Sequence, residues 1–327
     1  MAFFILRFDL RSAPSFGAPH PDIYSGALDM CEWADNLAGH QVQVLLHEHH
    51  NAEDGYSPSP IVFAAAVAGR TQNVGINIAA IILPLHNPIR LAEDLAVLDL
   101  VSRGRAGWVF AVGYRREEYA MMGVDIDRRA ELMEFGIETL KQAWTGEQFE
   151  YNGVASRVMP RPYTQPRPPI VLGGNSKAAA RRAARVADGF MPGKAGVMSV
   201  YREELIKQGG DPGPEMPDLE DTTPVIVGVS DDPDALWAKI GPHCMHEMNT
   251  YAAWFRDGAG GAGPYWIVDD IDELRESGAY LVLTPDELVD HLRTFGYMML
   301  HPLCGGIPPE IAWETLRAIE TRVLPAL

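Results

Sequence analysis

The chain of 327 residues is poor in cysteine, with Cys31, Cys244 and Cys304 far apart and no Cys-x-x-Cys pair. This argues against a disulfide framework and a thiolate zinc site, and it is typical of a reducing compartment. Long apolar runs are also missing, because none approaches the roughly 18 residues that a membrane-spanning helix needs. The apolar N-terminus lacks the basic segment of a signal peptide, so we expect a cytoplasmic protein without a membrane partner.

Positive charge is scarce as well. The chain has 27 Lys and Arg residues against 44 Asp and Glu residues, which gives a formal net charge of −17. This balance argues against nucleic acid or an anionic membrane surface as the main partner. With 47% hydrophobic residues the chain can bury a large core. Neither a linker nor an internal repeat divides it, so we expect one domain over residues 1–327.

Short apolar segments alternate with helical patterns along most of the chain. Strands are predicted at residues 3–8, 42–46, 74–82, 107–112, 169–172, 189–191, 223–229 and 298–303. Strands that alternate with helices in this way predict an α/β fold, and eight of them predict a (β/α)₈ TIM barrel. A small hairpin is predicted at 148–158 from its Asn-Gly turn. Segments 208–222 and 257–277 are predicted as insertion loops at the C-terminal face.

The strand predicted at 42–46 ends abruptly in His47, Glu48, His49, His50 and Asn51. Imidazole changes charge near neutral pH, and barrel enzymes place their active sites where strands leave the core. We therefore predict an active site here, with a polar loop and coincidental histidines as the alternative. The segment lacks the His-Glu-x-x-His zinc motif, because Asn51 stands where the second histidine belongs. No metal site is predicted.

A second candidate site follows the fifth predicted strand and consists of Gly173, Gly174, Asn175 and Ser176. Glycines let a ligand approach the backbone, and the free N–H groups at a helix start attract phosphate. The same residues are also a common helix entrance, in which Asn175 or Ser176 serves only as a cap. The sequence leaves both interpretations open.

Other conspicuous residues lie within helical patterns. Trp237, Trp254 and Trp313 stand among apolar residues, which favours core packing. His243 and His246 lie about one helical turn apart, but the order of the residues from His243 to Glu247 is not that of the inverted zinc motif. We interpret these two histidines as surface or pocket-lining residues.

Several motifs occur in an order that extends over nearly the whole chain. They are Glu48-His49-His50, residues 79–84, 88–94, 98–99, 102–105, 113–115, 117–119, 123–125, 160–162, 166–169, 173–174, 305–309 and 323–325. Taken together, this series resembles the bacterial-luciferase-like flavin monooxygenases, whose fold is a (β/α)₈ barrel. The resemblance implies that a reduced flavin lies across the mouth of the barrel.

The resemblance also implies roles for individual residues. His49 corresponds to the active-site histidine near the flavin ring, and Glu48 and Gly113 belong to the cofactor site. Ala79 and Ala80 match a pair that forms a non-proline cis peptide against the ring. The turn at 173–176 matches the segment that holds the flavin phosphate.

These implications define the expected function. We predict a monooxygenase that uses reduced FMN and molecular oxygen on a small organic substrate, acts as a homodimer and receives reduced flavin from a separate reductase. A deazaflavin-dependent dehydrogenase or reductase and a non-catalytic flavin-binding barrel are the alternatives. Luciferase activity itself is in doubt, because Ala111 and Val112 stand where luciferases have a reactive cysteine and a phosphate-binding arginine.

Overall fold

The computed structural model describes residues 2–213, 224–257 and 265–327. Its strands are β1 (Phe3–Phe8), β2 (Gln41–Leu46), β3 (Gly75–Ile82), β4 (Ala106–Ala111), β5 (Phe149–Tyr151), β6 (Val154–Ser156), β7 (Val171–Gly174), β8 (Gly189–Pro192), β9 (Val225–Val229), β10 (Tyr280–Leu283) and β11 (Tyr297–Leu300). Its α-helices are α1 (His20–Asp35), α2 (Pro60–Arg70), α3 (Pro88–Ser102), α4 (Arg116–Met121), α5 (Arg129–Ala143), α6 (Lys177–Val186), α7 (Val197–Lys207), α8 (Pro233–Asp257), α9 (Ile271–Glu276), α10 (Pro285–Phe295) and α11 (Pro309–Ala318).

The main sheet has the strand order β10-β9-β11-β1-β2-β3-β4-β7-β8, and its ladders are parallel. Helices connect successive strands, which confirms the predicted α/β barrel class. Because the strands are parallel, their C-terminal ends lie along one edge, where the loops that follow them meet. The first strand pairs with β11, so the two ends of the chain contribute to the same part of this edge.

The apolar alternation in the strands explains how the sheet is covered. Phe4, Leu6 and Phe8 on β1 are fully buried in a core that they share with the apolar faces of the helices. The intervening positions point to the other side of the sheet, where Ile5 stays partly exposed and Arg7 forms an ion pair. One face of the sheet is therefore sealed by helices, and the other carries polar residues.

Two sequence predictions need correction. The predicted count of eight strands missed β10, which pairs with β9 at the edge of the sheet. Its four residues, Tyr-Leu-Val-Leu, are too few to establish a strand period and lead directly into the capped helix α10. The loop predicted at 257–277 contains helix α9, capped by Asp270, while its residues 258–264 lie outside the described residues. Residues 214–222 of the other predicted loop also lie outside them.

The predicted hairpin at 148–158 is confirmed. Strands β5 and β6 pair antiparallel, and the two residues between them, Asn152 and Gly153, have φ angles of 50° and 75°. Positive φ at both central positions is the geometry that an Asn-Gly turn favours.

Candidate active site

The polar residues that follow β2 lie at the C-terminal edge of the parallel sheet, as predicted. Glu48, His49 and His50 are buried, with at most 8% of their surface exposed. Buried polar side chains require partners. The partners of these three residues come from several other segments of the chain, and they determine what each imidazole can do.

His49 is held by a carboxylate from helix α4. Its Nδ1 lies 3.0 Å from Oε1 of Glu118, and the same oxygen accepts the backbone N–H of His50 at 3.0 Å. Burial lowers the pKa of His49, and Glu118 offsets only part of this effect, so the pKa lies below 6.5 and the ring is neutral near pH 7. Since Glu118 accepts, Nδ1 carries the proton and Nε2 presents a lone pair.

Aromatic rings surround His49 and form what we call the aromatic chamber, made of His49, Tyr56, Tyr251 and Trp254. The ring centroids of Tyr56, Tyr251 and Trp254 lie 4.7, 5.8 and 4.9 Å from that of His49. The guanidinium of Arg115 lies 4.0 Å above the Trp254 ring. Core packing was the wrong prediction for Trp254, because helix α8 carries this ring to the residues that follow β2.

Glu48 joins the end of β2 to the end of β3. Its Oε2 accepts the backbone N–H of Ile82 at 2.7 Å, and its Oε1 lies 2.8 Å from Nε2 of His50 and 2.7 Å from Nε2 of His86. Burial would raise the pKa of the Glu48 carboxyl, but these hydrogen bonds outweigh burial and lower its pKa to about 2. The side chain is therefore an ionised anchor beneath the His49 segment.

The peptide bond between Ala79 and Ala80 is cis, as the resemblance implies. It lies in the last part of β3, where the register with β4 shifts. The carbonyl oxygen of Ala79 lies 2.6 Å from Nδ1 of His47. Gly113, just after β4, has a φ of +66°, and a Cβ there would lie 2.8 Å from Ile82. A larger residue at position 113 would therefore strain the backbone just after β4.

The turn between β7 and α6 contains the four residues predicted for phosphate. Ser176 caps α6, since its side-chain oxygen accepts the N–H of Ala179 at 3.1 Å. A Cβ on Gly174 would lie 2.5 Å from that of Ala179, so close packing of the helix requires glycine there. The cap leaves the first-turn N–H groups of Lys177 and Ala178 without an intrahelical partner. Such groups can bind an anion, and phosphate binding at this helix start stays a prediction.

A network of buried ion pairs lies beside the aromatic chamber. Arg7 donates to Glu247 at 2.6 Å, and the Arg11 guanidinium lies 3.3 Å from Asp9. His301 lies 3.4 Å from Asp9 and 3.7 Å from Glu247. Burial acts to lower the pKa of His301, but these two carboxylates raise it above 6.5. Charges that are buried this completely require such pairing.

Part of this network has the composition of a metal site. Ligand atoms of Glu247, His301 and Cys304 lie within 4.8 Å of one another. However, Glu247 already accepts from Arg7, and its second oxygen accepts from Tyr280 and from the Cys304 thiol, each at 2.9 Å. A guanidinium and a protonated thiol beside the carboxylate disfavour a divalent cation.

Sequence reasoning missed several residues of the site. Glu118, Arg115, Tyr56 and Tyr251 received no role, although Glu118 and Arg115 belong to motifs of the resemblance. The sequence did contain a signal for Arg115 and Glu118. They are polar residues shortly after β4, just as the histidines are polar residues directly after β2. His243 and His246 line the same region, with His246 Nε2 2.9 Å from Asp54.

The chain was also compared with known proteins. A family model described as luciferase-like monooxygenase matches residues 16–297. The oxygenase component of a flavin-dependent trigonelline monooxygenase from Acinetobacter baylyi is 29% identical over 155 residues, which is 45% of this chain and 42% of that protein. The match spans about half the length of the curated relatives.

Two solved structures share the fold. One is the oxygenating constituent of 3,6-diketocamphane monooxygenase from Pseudomonas putida in complex with FMN, with a TM-score of 0.69, 17% identity and coverage of 100% of this chain and 99% of that one. The other is an F420-dependent secondary alcohol dehydrogenase in complex with an F420–acetone adduct, with a TM-score of 0.59, 16% identity and coverage of 95% and 98%. Among the described residues, every helix is too short or too polar to cross a lipid bilayer.

Proposed function

This chain belongs to the luciferase-like monooxygenase family, and we propose that it is a monooxygenase that uses reduced FMN and molecular oxygen on a small organic substrate. The observation that carries the proposal is His49 itself. Its Nδ1 is bound by a buried carboxylate, its ring stands in an aromatic chamber, and its Nε2 has a lone pair available. An imidazole in this state accepts or donates one proton at a known atom.

The structure supports a flavin at this edge of the sheet. Ala79 and Ala80 would lie against the ring, Gly113 would leave room beside it, and the turn at 173–176 would hold the phosphate. The first turn of α6 has backbone N–H groups that suit an anion, and the capping Ser176 hydroxyl still has a hydrogen to donate. When bound, the reduced flavin supplies the electrons that activate molecular oxygen.

The residues around the cofactor would contribute orientation and proton transfer. His49 Nε2 would hold or deliver a proton near the reacting atoms, and Glu118 would keep the ring in the required tautomer. Glu48 supports the same segment through its hydrogen bond with His50. The aromatic rings would exclude water from the reaction.

We also propose a separate reductase as the source of reduced flavin. The sequence has no nicotinamide fingerprint, and the trigonelline relative is the oxygenase component of its system. The substrate stays open at the level of a small organic molecule, which would receive one oxygen atom of O2 while the other atom leaves as water with the two electrons that reduced FMN supplies.

A deazaflavin-dependent dehydrogenase is the second candidate function. A neutral imidazole with a free Nε2 also serves as the base that accepts a proton from an alcohol. An F420-dependent alcohol dehydrogenase shares the fold. Titration of the purified chain with reduced FMN and with the deazaflavin separates the two candidates, and tight binding of oxidised flavin without turnover would indicate a non-catalytic barrel.

The His49→Ala variant tests the proposed function. We expect the rate at which oxygenated product forms from a panel of small organic substrates, with reduced FMN supplied, to fall about 100-fold or more, because the proton-transferring group is lost. FMN binding, followed by flavin fluorescence, should stay close to that of the unmodified protein. His291→Ala on helix α10 serves as a matched control. Unchanged turnover in His49→Ala would exclude the assignment of His49.

A further inference from the structure

His47 has a buried hydrogen-bond acceptor that none of the described residues satisfies. Its Nδ1 lies 2.6 Å from the carbonyl oxygen of Ala79, which can only accept, so Nδ1 carries the hydrogen. Burial and the nearby Arg7 hold the pKa of His47 well below 6.5, and the ring is neutral. Its Nε2 therefore has a bare lone pair, and this atom is buried without a partner. A buried acceptor without a hydrogen bond lowers the stability of the fold unless a ligand or a water molecule donates to it.

An unsatisfied donor belongs to the same face of the sheet. Arg7 pairs with Leu45 in the register of β1 and β2, so Arg7 shares its face with His47, two residues beyond Leu45. Among the described residues, the Nε of Arg7 has no hydrogen-bond partner of good geometry, while its terminal nitrogen donates to Glu247 and its side chain also interacts with Tyr265. The donor and the acceptor thus share the inner face of the sheet, and Arg7 lies close enough to His47 to lower the pKa of its imidazole.

The inner side of the sheet is more open than the side that faces the helices. Leu45, Asn77 and Ala79 stay partly exposed, whereas Val44, Leu46, Ile76 and Ile78, which face the helices, are buried. Aromatic rings bound the region, since Tyr56 lies 6.4 Å from His47 and Tyr251 stacks on Tyr265 at 4.4 Å between centroids. Flat walls of this kind suit a planar ring system.

We propose that His47 Nε2 and Arg7 Nε together recognise one hydroxyl group on a planar aromatic substrate. The hydroxyl hydrogen is donated to His47, and the hydroxyl oxygen accepts from Arg7. This subsite deepens the proposed monooxygenase function and rests on it, because it lies beside the aromatic chamber that contains His49.

Charge balance favours a neutral hydroxyl over a carboxylate. Arg7 is paired with Glu247, Arg11 with Asp9 and Asp54, and His301 lies between Asp9 and Glu247. Each of these basic side chains already faces a carboxylate, so the described residues around the subsite have no spare positive charge for an anion. A hydroxyl, which both donates and accepts, satisfies the two unpaired atoms without adding charge.

Binding of naphthol and of methoxynaphthalene tests the subsite. The two probes share a planar ring system, but the ether has no hydrogen to donate. We expect isothermal titration of the protein, carried out with and without FMN, to show naphthol binding roughly ten-fold more tightly than the ether. The preference should disappear in His47→Leu and return in part in His47→Gln, whose amide oxygen can accept. Arg7→Lys, which keeps the charge but removes Nε, should weaken naphthol binding and provides a test if His47→Leu does not fold.

Two results would overturn the subsite: equal affinity for the two probes in the unmodified protein, or an unchanged preference in His47→Leu. FMN titration of the same samples keeps this outcome separate from the proposed function. FMN binding without a naphthol preference rejects the subsite alone. A naphthol preference without FMN binding rejects the cofactor assignment and keeps the subsite.

Discussion

At the scale of single residues, the hydrogen bond from His49 Nδ1 to Glu118 has two effects. The bond directs the lone pair of His49 to Nε2, and the carboxylate charge raises the pKa of the imidazole against the effect of burial. Arg115, 3.4 Å from the same Glu118 oxygen, acts in the opposite direction and lowers the pKa of His49. The protonation state of His49 is therefore determined by neighbours that belong to another loop.

Replacing Glu118 by Gln separates these two effects. The amide oxygen can still accept from Nδ1, but the charge that raises the pKa of His49 is removed. We expect kcat to fall about ten-fold and the acidic limb of the pH–rate profile to move to lower pH. Glu117→Gln, an exposed neighbour on the same helix, is the control and should leave the profile unchanged. A Glu118→Gln profile with an unmoved acidic limb would contradict this role.

At the scale of secondary-structure elements, Glu48 connects the ends of β2 and β3. It follows β2, accepts the N–H of Ile82 in β3, and contacts His86 in the turn beyond. The segment with His49 is thereby tied to the segment with the cis peptide. Because the anchor is ionic, its contribution to stability depends on pH at both ends of the range.

The sign of this dependence follows from the two pKa shifts. The Glu48 carboxyl has its pKa lowered from 4.5 to about 2, so its stabilisation is present above pH 4.5 and is lost as the pH falls toward 2. The pKa of His86 is raised above 6.5 by Glu48 although burial opposes this, so its share is present below 6.5 and is lost as the pH rises through its folded pKa. Glu48→Gln should remove both dependences.

Urea unfolding at a series of pH values measures this effect. Near pH 6 we expect Glu48→Gln to lower the free energy of unfolding by about 3 kcal/mol, as the pKa shift of the buried carboxyl implies. Glu53→Gln, an exposed carboxylate after the same strand, is the matched control. Equal stability of the two variants across the acidic range would contradict an anchoring role for Glu48.

At the scale of the whole molecule, the parallel sheet brings distant parts of the chain to one edge. Asp9 after β1 accepts the backbone N–H of Gly305 after β11 at 3.0 Å. The histidines after β2, the cis peptide of β3, Gly113 after β4 and the turn after β7 belong to the same edge. A ligand bound there contacts loops from several strands, so its binding energy stabilises the whole fold.

Thermal unfolding with FMN and with riboflavin tests this linkage. FMN at about 100 times its Kd should add about 2.7 kcal/mol to the free energy of unfolding, and riboflavin, which lacks the phosphate, should add less. Ser176→Ala should lower the stability of the free protein by about 1 kcal/mol through loss of the cap and should reduce the advantage of FMN. Ser199→Ala, an exposed serine near the start of α7, is the control. Equal stabilisation by both flavins would exclude phosphate binding at the 173–176 turn.

Residues near one another in the chain were largely predictable. The bounds of α6 and of β1 agree with the predictions, because a capping serine and a run of apolar residues are local signals. β10 was missed because its four residues carry too little pattern, and Trp254 was assigned to the core because its helix has ordinary apolar spacing. In both cases the deciding contacts come from elsewhere in the chain.

The sequence by itself determined the alternation of strands and helices, the polar residues that follow β2 and the turn at the start of α6, since each depends on neighbouring residues. Only the tertiary structure decided that Glu118 fixes the tautomer of His49, that Trp254 joins the aromatic chamber, and that His47 keeps an unsatisfied acceptor. These features join side chains that are distant along the chain. Their geometry follows from how helices and strands pack, which no local pattern encodes.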